Sequence, residues 1–80
     1  MIISWVEKAW EDYLYWQDTD KKNLKRVNTL IKAILRQPFA GLGDPEPLKH
    51  HLSGYWSRRI NREHRLVYKS AEKSVVIVQC

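Results

Sequence analysis

The sequence predicts an α+β fold: an N-terminal strand and two antiparallel helices packed on one face of an antiparallel sheet, in the order β-α-α-β-β-β-β. Three observations predict it. Apolar residues recur at helical spacing through the first half, all three prolines fall within residues 38–47, and the second half is a series of short runs separated by turn residues. With 80 residues the chain forms one domain, residues 1–80. A domain of this size buries only about 60% of its unfolded surface, so its core is thin.

Met1, Ile2 and Ile3 read as a first strand. Ser4 with Glu7 three residues on has the pattern of a capping box, which opens the first helix. Val6, Ala9, Trp10, Tyr13, Leu14 and Gln17 then follow helical spacing, and this aromatic stripe is expected to face the core. Thr19 or Asp20 can cap a second helix whose Leu24, Val27, Leu30, Ile31, Ile34 and Leu35 share one face until Pro38 ends it. Its many lysines and arginines read as a solvated outer face. Residues 38–47, with all the prolines and two of the three glycines, must be a loop.

After that loop come LKHHL, YWSRRI, HRLVYK and SVVIVQ, four short runs that make an antiparallel meander. The consecutive Val75, Val76, Ile77 and Val78 suit a strand near the middle of the sheet with both faces covered. If YWSRRI pairs with HRLVYK across the connector Asn61, Arg62 and Glu63, then Arg59 stands opposite Arg65. Tyr55, Ser57, Arg59, Arg65, Val67 and Lys69 share one face on that register. Trp56, Arg58, Ile60, His64, Leu66 and Tyr68 share the other, the core side, where the head of Arg58 is expected to reach a carboxylate or the sheet edge.

The apolar content of 44% and charged content of 29% describe a soluble globule and not a disordered chain. Cys80 is the single cysteine, so no internal disulfide can form, and neither a basic leader nor a run near the ~20 apolar residues of a membrane span is seen. A cytoplasmic protein with no membrane partner is expected. The net charge is +5, and residues 48–69 alone, with six cations against one acid, account for it and hold all three histidines. Such asymmetry points to a polyanionic partner, nucleic acid first.

Two arginines directly across a sheet repel each other, and an anion between them reverses the sign. Guanidinium donors match phosphate oxygens and can neutralise charge that develops in a transition state. Metal-free RNA cleavage needs, in addition, a base for the 2′-OH and an acid for the leaving 5′-oxygen. Glu46, between two prolines, is a candidate base, with Lys49 three residues on; His50, His51 and His64 are candidate acids. No HxxxH or clustered carboxylate spacing suggests a metal or other cofactor.

The runs AWEDYLYWQDTDKK, GDPEPLKHHLSGYWSRRI and EHRLVY resemble the YoeB toxins of the RelE superfamily, and the resemblance runs from the first helix to Cys80. It implies a small RelE-like fold and a ribosome-dependent mRNA interferase that cuts messenger RNA in the decoding site with a purine preference. It also implies a YefM-like antitoxin as partner, operator DNA reached through that antitoxin, and a homodimer. Members of the family use a glutamate base in the PEP motif, a lysine just after it and two arginines on neighbouring strands, which match Glu46, Lys49, Arg59 and Arg65. The RNA-binding set expected here is Arg59, Arg65, Lys49, Ser57, Lys69 and His50. YoeB chains continue into a short tail ending in His-Tyr, whose histidine is the general acid, whereas this sequence stops at Cys80; the expectation is a toxin that binds antitoxin but cleaves poorly. The alternative is a catalytically inactive scaffold that binds antitoxin and acts as co-repressor on operator DNA.

Overall fold

The computed structural model describes residues 1–80. Its elements are β1 (Ile2–Trp5), α1 (Glu7–Thr19), α2 (Lys21–Arg36), β2 (Glu46–Pro47), β3 (Trp56–Arg59), β4 (Arg65–Ser70) and β5 (Ser74–Gln79), with a 3-10 turn at His50–Leu52. The strands make one five-stranded sheet in the order β1-β5-β4-β3-β2. Both helices pack on one face of it, so the expected α+β layout is found. One pairing differs: β1 runs parallel to β5, Ile3 beside Val75 and Trp5 beside Ile77, so the sheet is mixed and not wholly antiparallel. A parallel partner 72 residues away in sequence leaves no local signal, because it depends on where the two helices return the chain.

That pairing also overturns the capping box. Ser4 is taken up by β1, and the residue before the helix is Val6, extended at φ −73° and ψ 157° and without a side-chain cap. Helix α2 starts as expected, with the Asp20 carboxylate accepting from the backbone N–H groups of Lys22 and Asn23 at 3.1 Å each. Val27, Leu30, Ile31 and Ile34 are buried on its inner face. In α1 the buried residues are Ala9 and Trp16, while Trp10 and Leu14 stay exposed at 46% and 37%. The apolar residues of α1 form two stripes, and the one that ends at Trp16 wins. Small Ala9 brings the helix close to the sheet, and the Trp16 indole N–H donates to the Cys80 carbonyl at 2.8 Å.

The meander holds with one displacement. LKHHL is not a strand; its last three residues are the 3-10 turn, and the fourth strand of the second half is β2, inside the proline-rich segment read as loop. Glu46 pairs with Ser57 and Pro47 with Trp56. An edge strand needs a ladder on one side only, and so accommodates the proline that a central strand would reject. Strand β5 lies between β1 and β4, but only Val75 and Ile77 are buried; Val76 and Val78 are half-buried, because no element covers the second face.

Arg58 is fully buried and meets no carboxylate. Its Nη1 donates to the Leu42 carbonyl at 2.8 Å and its Nη2 to those of Ala40, at 2.9 Å, and Gln37, while Nε donates to the Tyr68 hydroxyl at 3.1 Å. The Tyr68 hydroxyl in turn donates to the Pro38 carbonyl. Gln37 is the C-terminal cap of α2, where the helix dipole places partial negative charge, so carbonyls take the part expected of a carboxylate. The connection from α2 to β2 is thereby wound around one guanidinium. Gly43 completes it, with φ +92° and no room for a side chain: an added Cβ would stand 2.6 Å from Leu30 Cδ2. Its carbonyl accepts from Arg59 N–H at 2.8 Å, which aligns the chain for β2.

Candidate active site

The hairpin between β3 and β4 sets the site. Asn61 accepts through Oδ1 from the N–H groups of both Glu63 and His64 at 2.8 Å, an Asx turn that fixes the three-residue connector. The resulting register is Arg59 opposite Arg65, Ser57 opposite Val67 and Trp56 opposite Tyr68. Because Glu46 lies beside Ser57 on the other side of β3, it belongs to the same row and the same face. Glu46, Ser57, Arg59 and Arg65 therefore come from three adjacent strands to the sheet face that carries no helix.

Within this group the Arg65 guanidinium is the link. Its Nη1 donates to Ser57 Oγ at 3.2 Å and stands 3.5 Å from Glu46 Oε2. The Ser57 residue is 1% exposed, so it is a rigid floor; the Glu46 side chain is 58% exposed and that of Arg65 36%. An ion pair this open contributes about 0–1 kcal/mol, and an incoming phosphate can separate it at small cost. Arg59 is exposed, is held only through its backbone, and adds a second positive charge beside Arg65 that Glu46 does not offset. One carboxylate against two guanidinium groups leaves this face with net positive charge.

The other expected site residues are more dispersed. Lys49 and His50 lie on the connection from β2 to β3, both exposed, with His50 at φ +60°. Lys69 shares the face of Arg65 but lies four residues along β4, about 13 Å away at ~3.3 Å per residue, with its Nζ 5.4 Å from the centre of the Tyr55 ring. His64, assigned to the core side, does turn that way: its ring meets Trp16 edge-on at 5.0 Å between centroids. Yet it remains exposed on its outer side. No histidine makes a hydrogen bond to Glu46 or Arg65.

A cleft of about 490 Å³ opens beside this group, lined by Lys8, Asp12, Tyr15, Trp16, Glu63, His64, Arg65, Gln79 and Cys80. Arg65 belongs to both the cleft and the Glu46 group. A β-bulge between Val67 and Tyr68 places Gln79 opposite Val67 while Ile77 faces Tyr68, which shifts the end of β5 toward the cleft. Cys80 closes one wall, with its N–H bonded to the Asp12 carboxylate at 3.2 Å. Burial, reinforced by that carboxylate, pushes its thiol up to about 12, so it stays protonated and is no nucleophile at neutral pH. Sequence reasoning named Gln79 only as part of its strand and missed Asp12 and Trp16 as cleft residues. The signal would have had to come from the parallel return of β1, which brings α1 over the end of β5.

The profile of the family described as YoeB-like toxin of bacterial type II toxin-antitoxin system matches residues 5–80. The chain belongs to that family. The toxin YoeB of Synechocystis sp. is 61% identical over 80 residues, covering all of this chain and 93% of its own length. Among solved structures, the YoeB dimer from Staphylococcus aureus superposes with a TM-score of 0.95 at 47% identity, covering 100% of this chain and 93% of that one. The heterotetrameric YoeB-YefM toxin-antitoxin complex from the same organism gives 0.94 at 47%, with the same coverage. The chain is thus a YoeB-like toxin by sequence and by fold, and its Glu46, Arg59 and Arg65 share one open sheet face. No helix is long and apolar enough to cross a membrane, and no group of three or more His, Cys, Asp or Glu side chains could hold a metal ion.

Proposed function

We propose that this YoeB-like toxin is a ribosome-dependent endoribonuclease that cuts mRNA without a metal, with Glu46 as base and Arg65 and Arg59 as the anion clamp. The observation that carries the reading is the single contact chain from Ser57 through the Arg65 guanidinium to the Glu46 carboxylate, on a face left clear of helices. Glu46 takes the 2′-OH proton, the 2′-oxygen attacks phosphorus, and the bond from phosphorus to the 5′-oxygen breaks. A 2′,3′-cyclic phosphate forms, and the departing 5′-oxygen takes a proton from an acid or from water. The negative charge that grows on the two free phosphoryl oxygens falls between Arg65 and Arg59, and Lys49 adds a longer-range positive charge. Ser57 orients Arg65 from below and is buried too deeply to do more.

Antitoxin control belongs to the same reading. The Staphylococcus aureus YoeB is solved both as a dimer and in a heterotetramer with YefM. A YefM-like partner, and pairing of two toxin copies, are proposed here on that likeness, with the cytoplasm as the compartment where ribosomes and mRNA meet the toxin. The test is an mRNA cleavage assay on programmed ribosomes in which the chemical ends of the products are identified. Cleavage with 5′-hydroxyl and cyclic phosphate ends, suppressed by added antitoxin, is the expected result. Cleavage that leaves 5′-phosphate and 3′-hydroxyl ends would overturn the reading of the mechanism, and none at any toxin concentration would favour a toxin fold that only binds antitoxin.

A further inference from the structure

The Glu46 group is one end of a longer strip on the open face, and its other end has the parts of a base-stacking subsite. Going back along β3 from Arg59, residues on that face are Arg59, Ser57 and, just before the strand begins, Tyr55, whose ring lies beside Lys69; along β4 they are Arg65, Val67 and Lys69. Successive rows are ~7 Å apart, close to the length of one nucleotide of extended single strand. The middle row is low: Ser57 is buried and Val67 half-buried, so a backbone crossing from the arginines meets no obstruction before Tyr55. Tyr55 is itself anchored, since its N–H donates to the Leu52 carbonyl at 3.0 Å and its carbonyl accepts from Leu48 N–H at 2.9 Å. The residue is half-buried, and the ammonium of the exposed Lys69 stands 5.4 Å from the centre of its ring.

We propose that Tyr55 and Lys69 form a nucleotide subsite about two nucleotides along the strand from the cleaved bond, in which one RNA base stacks on the Tyr55 ring and Lys69 turns to the adjoining phosphate. The proposal rests on the nuclease reading for the identity of the strand, single-stranded RNA. A solvated lysine over a half-buried ring is a weaker contact than a base stacked on it, so the base displaces the ammonium, which then finds a phosphate oxygen within its reach. Stacking of this kind tolerates any base. Tyr55 therefore positions the strand, setting which phosphodiester reaches Glu46, and is not a catalytic residue.

The test measures binding of a short, fluorescently labelled 2′-O-methyl RNA, which cannot be cut, to the full chain, together with a series carrying one abasic nucleotide at each position. Tyr55→Ala should weaken binding of the intact strand roughly 5- to 150-fold, the range found for removing a stacking aromatic, and Tyr55→Phe should bind as the parent does. Removing the base at one position should make parent and Tyr55→Ala bind alike, while abasic sites elsewhere leave the difference intact. Lys69→Ala, at an exposed position that folding tolerates, should lower the salt dependence of binding by about one phosphate contact. The proposal is overturned if Tyr55→Ala binds like the parent, if its loss is the same for every abasic position, or if the parent binds no RNA. Since the readout is binding, a chain that binds in this pattern but fails to cut on ribosomes would refute the nuclease reading and leave the subsite standing.

Discussion

Glu46→Gln is expected to lower the rate of mRNA cleavage on ribosomes by about 10²- to 10⁴-fold, the range lost when a positioned general base is removed. The substitution keeps shape and a hydrogen-bonding oxygen for Arg65, so the fold and RNA affinity should change little; the loss should appear in the rate of the chemical step. Arg65→Glu should cost at least as much, for a different reason. It removes the guanidinium that joins Ser57 to Glu46 and places a second carboxylate where the phosphorane charge develops. Binding of antitoxin through the rest of the surface should survive both changes. Single-turnover cleavage by each variant, beside a thermal melt to confirm folding, separates these outcomes. A Glu46→Gln protein that cuts within about threefold of the parent would remove Glu46 from the role of base.

Arg58→Met should be the most damaging change to stability, about 3–5 kcal/mol. Methionine fills much of the volume but donates nothing, so the Gln37, Ala40 and Leu42 carbonyls lose their shared donor and the Tyr68 hydroxyl loses one partner. Each buried acceptor left unpaired costs about 1–3 kcal/mol, less where the segment can swing out to water. In a domain of this size the midpoint of thermal unfolding should fall by on the order of 20 °C. Arg58→Lys should recover little of it, because an ammonium cannot reach carbonyls spread around a planar fork. A fall below about 1 kcal/mol by urea titration would mean that the segment from α2 to β2 is held by other contacts. Since that segment delivers Glu46 to the sheet, the same variant should also lose activity at temperatures where it is still folded.

Much of this was legible in the sequence, and the misses share a physical cause. Helix α2 could be read because Asp20, the apolar face from Leu24 to Leu35 and Pro38 all agree on one answer. The register of Arg59 against Arg65 could be read because a three-residue connector leaves few ways to pair the strands. The inward turn of Arg58 followed from alternation alone. Its carbonyl partners did not, since they depend on how residues 37–42 fold around the guanidinium. Nor could Ser4 be assigned correctly: it has the chemistry of a cap, but a parallel ladder to β5 holds it in a strand. Trp10 and Trp16 both fit a helical stripe, and only tertiary packing chose between them. At the site, Ser57, Arg59 and Arg65 were legible on a shared face, and Glu46 as a candidate base in the loop before it. Their contact was not, because β2 hides between prolines that signal a loop.

In this mechanism the 2′-oxygen of the RNA is the nucleophile and Glu46 removes its proton. The most direct measurement programs ribosomes with an mRNA carrying a single 2′-deoxynucleotide on the 5′ side of the bond that the toxin cuts. Loss of cleavage at that bond alone, with neighbouring ribonucleotide sites still cut, is the result the site geometry predicts. Undiminished cleavage of the 2′-deoxy bond would contradict it, because only water could then be the attacking group.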